Sequence, residues 1–519
     1  MNITGNQTSA PTPEQAKVIG SKARRIRVNA YAGTGKTTTA RGFTMARPNE
    51  RFLLMAFNKA IADDAKSKFP EWVECKTMHS LAYGAIVPRL FSSLPHDQRN
   101  AKLGDMRTLA IANTLQVNPR MARLVQGALH GWLCSPDKAI SASHIAEDLN
   151  CPRSQQGQVV NYAKELFAQM CDPTKLDVKL PHDGYLKLWQ LSSPDLSQRY
   201  TTIICDEAQD LNPTVLDIIK RQKTGLLVIG DENQAIYKFR GATNAMREIQ
   251  VDETHYLTTS FRFGSGVAAV ATALLGSFRK MPRPITGKGM PTIFEIDTSR
   301  TYCTIARTNA ALFDVAVKAL ESNRPLHFVG GTSGYRFEAM MDAYHLSMNE
   351  HASIRDPIIR QFTDLAELAE AAEDTDDRDL KFLSKIADAY GQRIPALIRE
   401  LERRHVPAPS AKSFATTHSN GIVFTTAHKS KGLEFDQVLL TDDFCDLTDD
   451  KENLLPADKV DEDELNLLYV AATRAERALH LNDGTRSFLR SIQRAAKAAT
   501  PVDLHSSQSI AAEFRSRAK

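Results

Sequence analysis

One octapeptide, Ala30-Tyr31-Ala32-Gly33-Thr34-Gly35-Lys36-Thr37, limits what this chain can fold into. The segment before it, Ile26 to Asn29, sets Ile26 and Val28 on one face and reads as a strand. Thr38 to Ala46 after it reads as a helix. Gly33 and Gly35 let the turn between them tighten, so that successive N–H groups and the helix N-terminus point at one anion. Dipole and unpaired donors both favour phosphate there. Lys36 supplies a charge for the β and γ phosphates, and the Thr37 hydroxyl is a hard oxygen suited to Mg²⁺. The stretch is a P-loop, with Ala30 where the stricter pattern has Gly.

Such a loop needs a parallel, doubly wound sheet around it, and the chain supplies one. Arg51 to Phe57, Trp72 to Lys76, Tyr200 to Cys205 and Gly225 to Gly230 are short apolar runs of buried-strand type. Helical stretches Lys59 to Phe69 and Thr77 onward alternate with the first of them. Ligands of such sheets sit beyond the carboxyl ends of the strands. Phe57, Asn58, Thr77 and His79 fall there and are candidates to touch a second ligand beside the nucleotide. From Pro88 to about Gln198 the strands stop and helices follow one another (Leu103 to Leu115, Pro119 to Leu133, Ser141 to Leu149, Val159 to Met170), which reads as a helical insertion.

The strand Tyr200 to Cys205 ends in Asp206-Glu207-Ala208-Gln209-Asp210. An apolar strand delivering two adjacent acids is the Walker B arrangement: Asp206 suits Mg²⁺, and Glu207 suits orienting and deprotonating water. Gly225 to Gly230 runs into Asp231-Glu232-Asn233-Gln234-Ala235-Ile236-Tyr237-Lys238-Phe239-Arg240. Polar groups able to sense a γ-phosphate there precede two aromatics and two cations, a pattern able to stack bases and hold a backbone. Phe261-Arg262 then offers an adenine platform and an arginine finger. The second half repeats the alternation without a P-loop, with strands at Tyr302 to Ala306, Pro325 to Val329, Gly421 to Thr425, Gln437 to Thr441 and Ala478 to Leu481. Two sheet domains with one nucleotide loop imply an ATP site in a cleft between them. Thr426 to Asp436 (TAHKSKGLEFD) carries His428 and Glu434, and Leu468 to Ala475 carries Arg474.

Composition narrows the class. The 519 residues, 42% hydrophobic and 24% charged, suffice for roughly three or four domain-sized units. Lys+Arg 65 against Asp+Glu 61 is too balanced to announce a polyanion partner, so a basic surface must be local. The 7 cysteines lack CxxC or Cys/His metal spacing, which points to a reducing compartment and to no zinc site. No apolar run approaches the ~18 residues of a membrane span, so a cytoplasmic protein, nucleoid-associated if bacterial, is expected.

Taken in order, AGTGKT, DEAQD, GDENQAIYKFRGA, the FR pair, TAHKSKGLEFD and LLYVAATRA resemble the UvrD/Rep-like branch of superfamily 1 helicases, over most of Thr12 to Arg477. AFNKAIADDAKSKFP followed by TMHSLAY looks like the F-box DNA helicase subgroup, without an F-box, since the motor begins near Thr12. The resemblance implies two tandem RecA-like parallel-sheet domains, each with an inserted, mainly helical subdomain. The expected boundaries are 1–88 with 199–280, insertion 89–198, 281–349 with 420–490, a short insertion 350–419, and a basic tail 491–519.

The resemblance also implies roles. Gln15 reads adenine and Phe261 stacks on it. Ala32, Gly33, Thr34, Gly35, Lys36, Thr37 and Thr38 hold the phosphates, with Thr37 and Asp206 at Mg²⁺ and Glu207 as catalytic base. Gln234, Arg262 and Arg474 contact the γ-phosphate, and Glu434 the ribose. Phe57, Asn58, Thr77, His79, Tyr237, Phe239 and His428 lie along single-stranded DNA. Phe57 is displaced by one place from the family's usual stacking aromatic, and Phe239 replaces its usual Trp. The implied activity is ATP-driven, 3′ to 5′ movement on single-stranded and forked DNA with duplex unwinding, in repair, recombination or replication and alongside proteins of those processes. The same motifs also fit a translocase that strips proteins from DNA or the motor subunit of a nuclease or phage-defence complex. A third alternative, a non-enzymatic ATP-gated binding module, is disfavoured by the intact Lys36, Glu207 and Arg474.

Overall fold

The computed structural model describes residues 10–56, 58–237, 244–374 and 378–498. Contacts divide the chain into two units: Met1–Tyr31 with Gly35–Leu257, and Ala32–Thr34 with Thr258–Lys519.

The first unit is built on six parallel strands, β1 (Arg25–Ala30), β2 (Phe52–Met55), β3 (Val73–Lys76), β4 (Thr202–Cys205), β5 (Gly225–Gly230) and β6 (Glu253–Leu257), in the order β3-β2-β4-β5-β1-β6. β2, β4 and β5 are buried at every position because both faces are covered, whereas β1 alternates buried and half-buried residues. Leu53, Met55, Ile203, Cys205, Leu226 and Val228 enter one core, which they share with Trp132, Leu129 and Val159 of the helical insertion. Their neighbours Phe52, Leu54, Ile204, Leu227 and Ile229 enter the other, with Val18, Phe43 and Ala65. The period of two thus sorts one continuous apolar run into two cores. The insertion is not a separate lobe; its helices form the cover of one sheet face.

The second unit carries β7 (Thr259–Ser260) paired with β8 (Thr286–Gly287), and a five-stranded parallel sheet of β9 (Tyr302–Ala306), β10 (Leu326–Phe328), β11 (Ile422–Thr426), β12 (Phe435–Leu440) and β13 (Ala475–His480), ordered β10-β11-β9-β12-β13. Between β10 and β11 lie Leu365–Asp374, Arg378–Tyr390, Ile394–Arg404 and Ala411–Thr417. Leu368, Leu383, Ile386, Ile398 and Leu401 from these helices share a core with Phe328, Ile422 and Phe424 of the sheet.

Several expected elements are redrawn. The helix anticipated over 103–115 begins only at Thr108, after Gly104 at φ +141°. The helix anticipated over 141–149 is two single 3₁₀ turns, Ala142–His144 and Glu147–Leu149, because Ser141 and His144 cap each other and Asn150 turns left-handed at φ 46°. The helix His182–Leu191 and the edge strand β6 were not anticipated. The helix buries Lys187 and Gln190, and β6 fully buries only Leu257, so neither shows a clean apolar period.

Candidate nucleotide and nucleic-acid site

The first sheet orders its chemistry along one edge. Across β3-β2-β4-β5-β1, the carboxyl ends deliver Thr77 to His79, Asn58, Asp206-Glu207, Asp231 to Tyr237 and the glycine loop in turn. Thr77, His79 and Asn58 therefore stand at one end of the row and the glycine loop at the other, with the acids and the loop bearing Tyr237 between them.

The helix Lys36–Met45 starts on Gly35, which sits left-handed at φ 81° and offers no side-chain cap. Its first N–H groups are thus left to a ligand, as anion binding at a helix start requires. Thr37 and Thr38 are exposed beside them. Lys36 Nζ lies 2.7 Å from Glu207 Oε1, with the two side chains 14% and 29% exposed. Burial works against the ammonium, but Glu207 and Asp206 outweigh it and raise its pKa. Gln15 is buried and belongs to a capping box with Thr12: its Oε1 accepts from Thr12 N at 3.0 Å, and its own N–H donates to Thr12 Oγ1 at 3.2 Å. A Cβ on Gly35 would lie 2.8 Å from Gln15 Nε2, so that amide is set against the loop.

At the end of β4, Glu207 is itself left-handed, at φ 51°, and its N–H donates to Asp206 Oδ1 at 3.0 Å. Burial first, then the Glu207 charge, push the Asp206 carboxyl up to about 6 against the opposing pull of Lys36. The Asp206 carboxylate, short of positive charge at the end of β4, and the exposed Thr37 hydroxyl at the helix start are hard oxygens of the kind Mg²⁺ takes. Asp231 Oδ1 accepts from Asn233 N at 3.1 Å and Asn233 Nδ2 at 3.0 Å, while its Oδ2 accepts from Gln234 Nε2 at 2.8 Å. Gln209, to which the DEAQD pattern by itself assigns no role, joins the two loops: Nε2 donates to Glu207 Oε2 at 2.5 Å, and Oε1 accepts from Asp231 N at 3.2 Å.

Within the second unit, Gly33 O accepts from Phe261 N at 2.9 Å, and Ala32 N donates to Tyr469 Oη at 3.2 Å. Gly33 sits at φ +72°, and a Cβ there would come within 2.6 Å of Arg262 Cβ and Ser260 Oγ, so only glycine fits. Thr34 is buried. The Phe261 ring is 48% exposed, as a stacking platform needs. Arg262 Nε donates to Glu434 Oε2 and its Nη1 to Thr473 O, both at 3.2 Å. Burial disfavours charge on Glu434, but the Lys412 ammonium and the Arg262 guanidinium outweigh it and hold the carboxyl below its usual range. Arg474 is 1% exposed; its Nε donates to Val470 O at 2.8 Å and its Nη1 to Leu433 O at 3.1 Å. His428 is half-buried in the turn Ala427–Ser430.

The nucleic-acid candidates also hold the fold. Asn58 caps the helix Lys59–Lys68 and Thr77 caps Met78–Leu90, each accepting from a backbone N–H. His79 Nε2 is 2.9 Å from Asp183 Oδ1. That carboxylate, His130 and Cys134 place their ligand atoms within 4.8 Å of one another, a grouping the spacing of the cysteines could not reveal. Burial pushes the Cys134 thiol up to about 12, so it stays protonated. Tyr237 is half-buried beyond Gln234. Phe57 and Phe239 lie outside the described residues. Among the described residues, no helix is long and apolar enough to cross a membrane.

A glycine loop opening a helix, a lysine–glutamate pair and a second acid at the carboxyl edge of a parallel sheet define a nucleoside-triphosphate site of the P-loop class. Residues 11–250 match the UvrD/REP helicase N-terminal domain, and residues 294–483 match the UvrD-like helicase C-terminal domain. The chain belongs to the UvrD-like helicase family. It is 30% identical over 517 residues to F-box DNA helicase 1 of Gallus gallus, covering 92% of this chain and 49% of that protein. It is also 30% identical over 518 residues to F-box DNA helicase protein 1 of Schizosaccharomyces pombe, covering 92% of this chain and 58% of the relative. A shorter similarity, 26% over 275 residues, reaches the mitochondrial ATP-dependent DNA helicase HMI1 of Saccharomyces cerevisiae, with 47% of this chain and 36% of that protein covered. The chain thus spans about half the length of the F-box relatives it matches.

Proposed function

We infer that the protein is an ATP-driven motor that advances 3′ to 5′ along single-stranded DNA and separates forked duplexes, acting in repair, recombination or replication. The supporting observation is the row along the first sheet, where candidate strand contacts, acids, the Asp231 loop and the glycine loop stand on neighbouring strand ends. In this reading Lys36 and the helix start hold the β and γ phosphates, Gln15 reads adenine and Phe261 stacks on it. Thr37 and Asp206 would hold Mg²⁺, which when bound offsets phosphate charge. Glu207 takes the proton of the attacking water, and Gln234, Arg262 and Arg474 contact the γ-phosphate. Glu434 binds ribose. Asn58, Thr77, His79, Tyr237 and His428 hold the strand.

Phosphate release measured with and without single-stranded DNA tests this. Stimulation is expected in the wild type and should vanish in Lys36→Ala and Glu207→Gln. Displacement from duplexes carrying a 3′ tail but not a 5′ tail checks the direction. DNA-stimulated phosphate release without strand displacement would instead mark a translocase that clears proteins.

A further inference from the structure

Glu207 has two carboxylate oxygens, and each has its own partner. Oε1 takes the Lys36 ammonium at 2.7 Å, an interaction that a nucleotide competes for, because the same ammonium serves the phosphates. Oε2 takes the Gln209 amide at 2.5 Å, a group no phosphate needs. Gln209 is 1% exposed, and its amide can face only one way. A flipped amide would put its oxygen against the carboxylate and its NH₂ against the Asp231 N–H, losing both bonds. The same Nε2 lies 3.4 Å from Asp210 Oδ2. Gly230 is the wall behind it: a Cβ there would come within 2.4 Å of Gln209 Oε1. From Gln209 the chain of bonds runs through Asp231 to Gln234.

We propose that Gln209 is a positioning residue for ATP hydrolysis: its amide fixes the Glu207 carboxylate in the rotamer that meets the attacking water, and ties it to the loop bearing Gln234. The proposal rests on the functional reading above and adds to it. When Lys36 turns to phosphate, the Gln209 bond to Oε2 is one that the phosphate does not compete for.

The test uses the full chain, ATP and an oligo(dT) strand, with Gln209→Met, which keeps volume and removes the amide, and Gln209→Glu, which keeps shape and replaces the donor with an oxygen. For Gln209→Met, kcat should fall by about 10- to 100-fold, the cost of a misplaced catalytic group. The KM for ATP should stay within about twofold, and the melting temperature should fall by no more than a few degrees, the cost of the orphaned Asp231 N–H. Gln209→Glu should fall at least as far. In a Glu207→Gln background, adding Gln209→Met should change the residual rate by less than about twofold, because its effect passes through Glu207. A kcat within about twofold of wild type in Gln209→Met, or the same fold loss in both backgrounds, overturns the proposal. A wild type without DNA-stimulated phosphate release fails the functional reading itself and the proposal with it. An active wild type with active Gln209 variants fails the proposal alone.

Discussion

The two sheets each send a central strand into a helix, and they treat the turn in opposite ways. After β1, the helix Lys36–Met45 begins on a left-handed glycine without a side-chain cap. After β9, the helix Asn309–Ala319 begins on Thr308, whose hydroxyl accepts from Ala311 N. Asp443 takes the N–H groups of Arg307 and Thr308 at 3.0 and 2.7 Å, and the Thr308 hydroxyl at 2.7 Å. Arg307 is held by Glu464 through two bonds of 2.6 Å. The second sheet supplies a carboxylate of its own where the first leaves donors for a phosphate. One architecture thus yields a binding site or a closed joint, according to whether the anion is built in.

The largest expected effect breaks the functional side of that contrast. Arg262→Ala should lower ATP turnover by about 10³-fold or more, as loss of an arginine finger does, with single-stranded DNA binding retained; a near-normal steady-state rate would remove Arg262 from the reaction. Next, Gly33→Ala should cost about 2 to 4 kcal/mol from a left-handed alanine and contacts of 2.6 Å, read as a lower urea midpoint.

Asp443→Ala should cost about 2 kcal/mol by orphaning the N–H groups it serves, and inorganic phosphate should restore part of the loss in the variant but not in the wild type. Phosphate without effect on the variant would show that the second helix start is no latent anion site. The smallest effect concerns the insertion of the first unit, where burial lowers the Lys187 ammonium to about 8, against the opposing pull of Asp137 and Asp217. Between that value and the 10.5 of a free lysine, the unfolded chain binds more protons than the folded one. Stability should therefore rise with pH through that window and be lowered by the buried charge below it. Calorimetry of Lys187→Met should show that slope flattened in the transition of the first unit.

Much of this was legible in the chain because the signals are local. The helix Pro119–Leu133 and the strands β5 and β9 fall where apolar period and caps put them, residue for residue. The alternation of strands and helices revealed the parallel sheets, and the glycine loop and adjacent acids revealed the phosphate end. What stayed hidden depends on partners far along the chain. Asp443 reaches across 136 residues to Arg307, and Gln209 reaches 22 residues to Asp231. Gln209 sits in plain view inside DEAQD, but only its bonds to Glu207 and to the Asp231 N–H show why that position is an amide. Asn58 and Thr77 show the converse: their helix caps are readable locally, and that local duty is compatible with a second one at the strand ends.

The backbone at Glu207 has an evolutionary corollary. A non-glycine residue held at φ 51° stores about 1 to 2 kcal/mol that asparagine or glycine would largely release. Laboratory selection for heat resistance and selection for turnover would therefore pull this codon in opposite directions. A thermotolerant library should lose its acid here first, and a glutamate that persists under such pressure marks a protein still being asked to work.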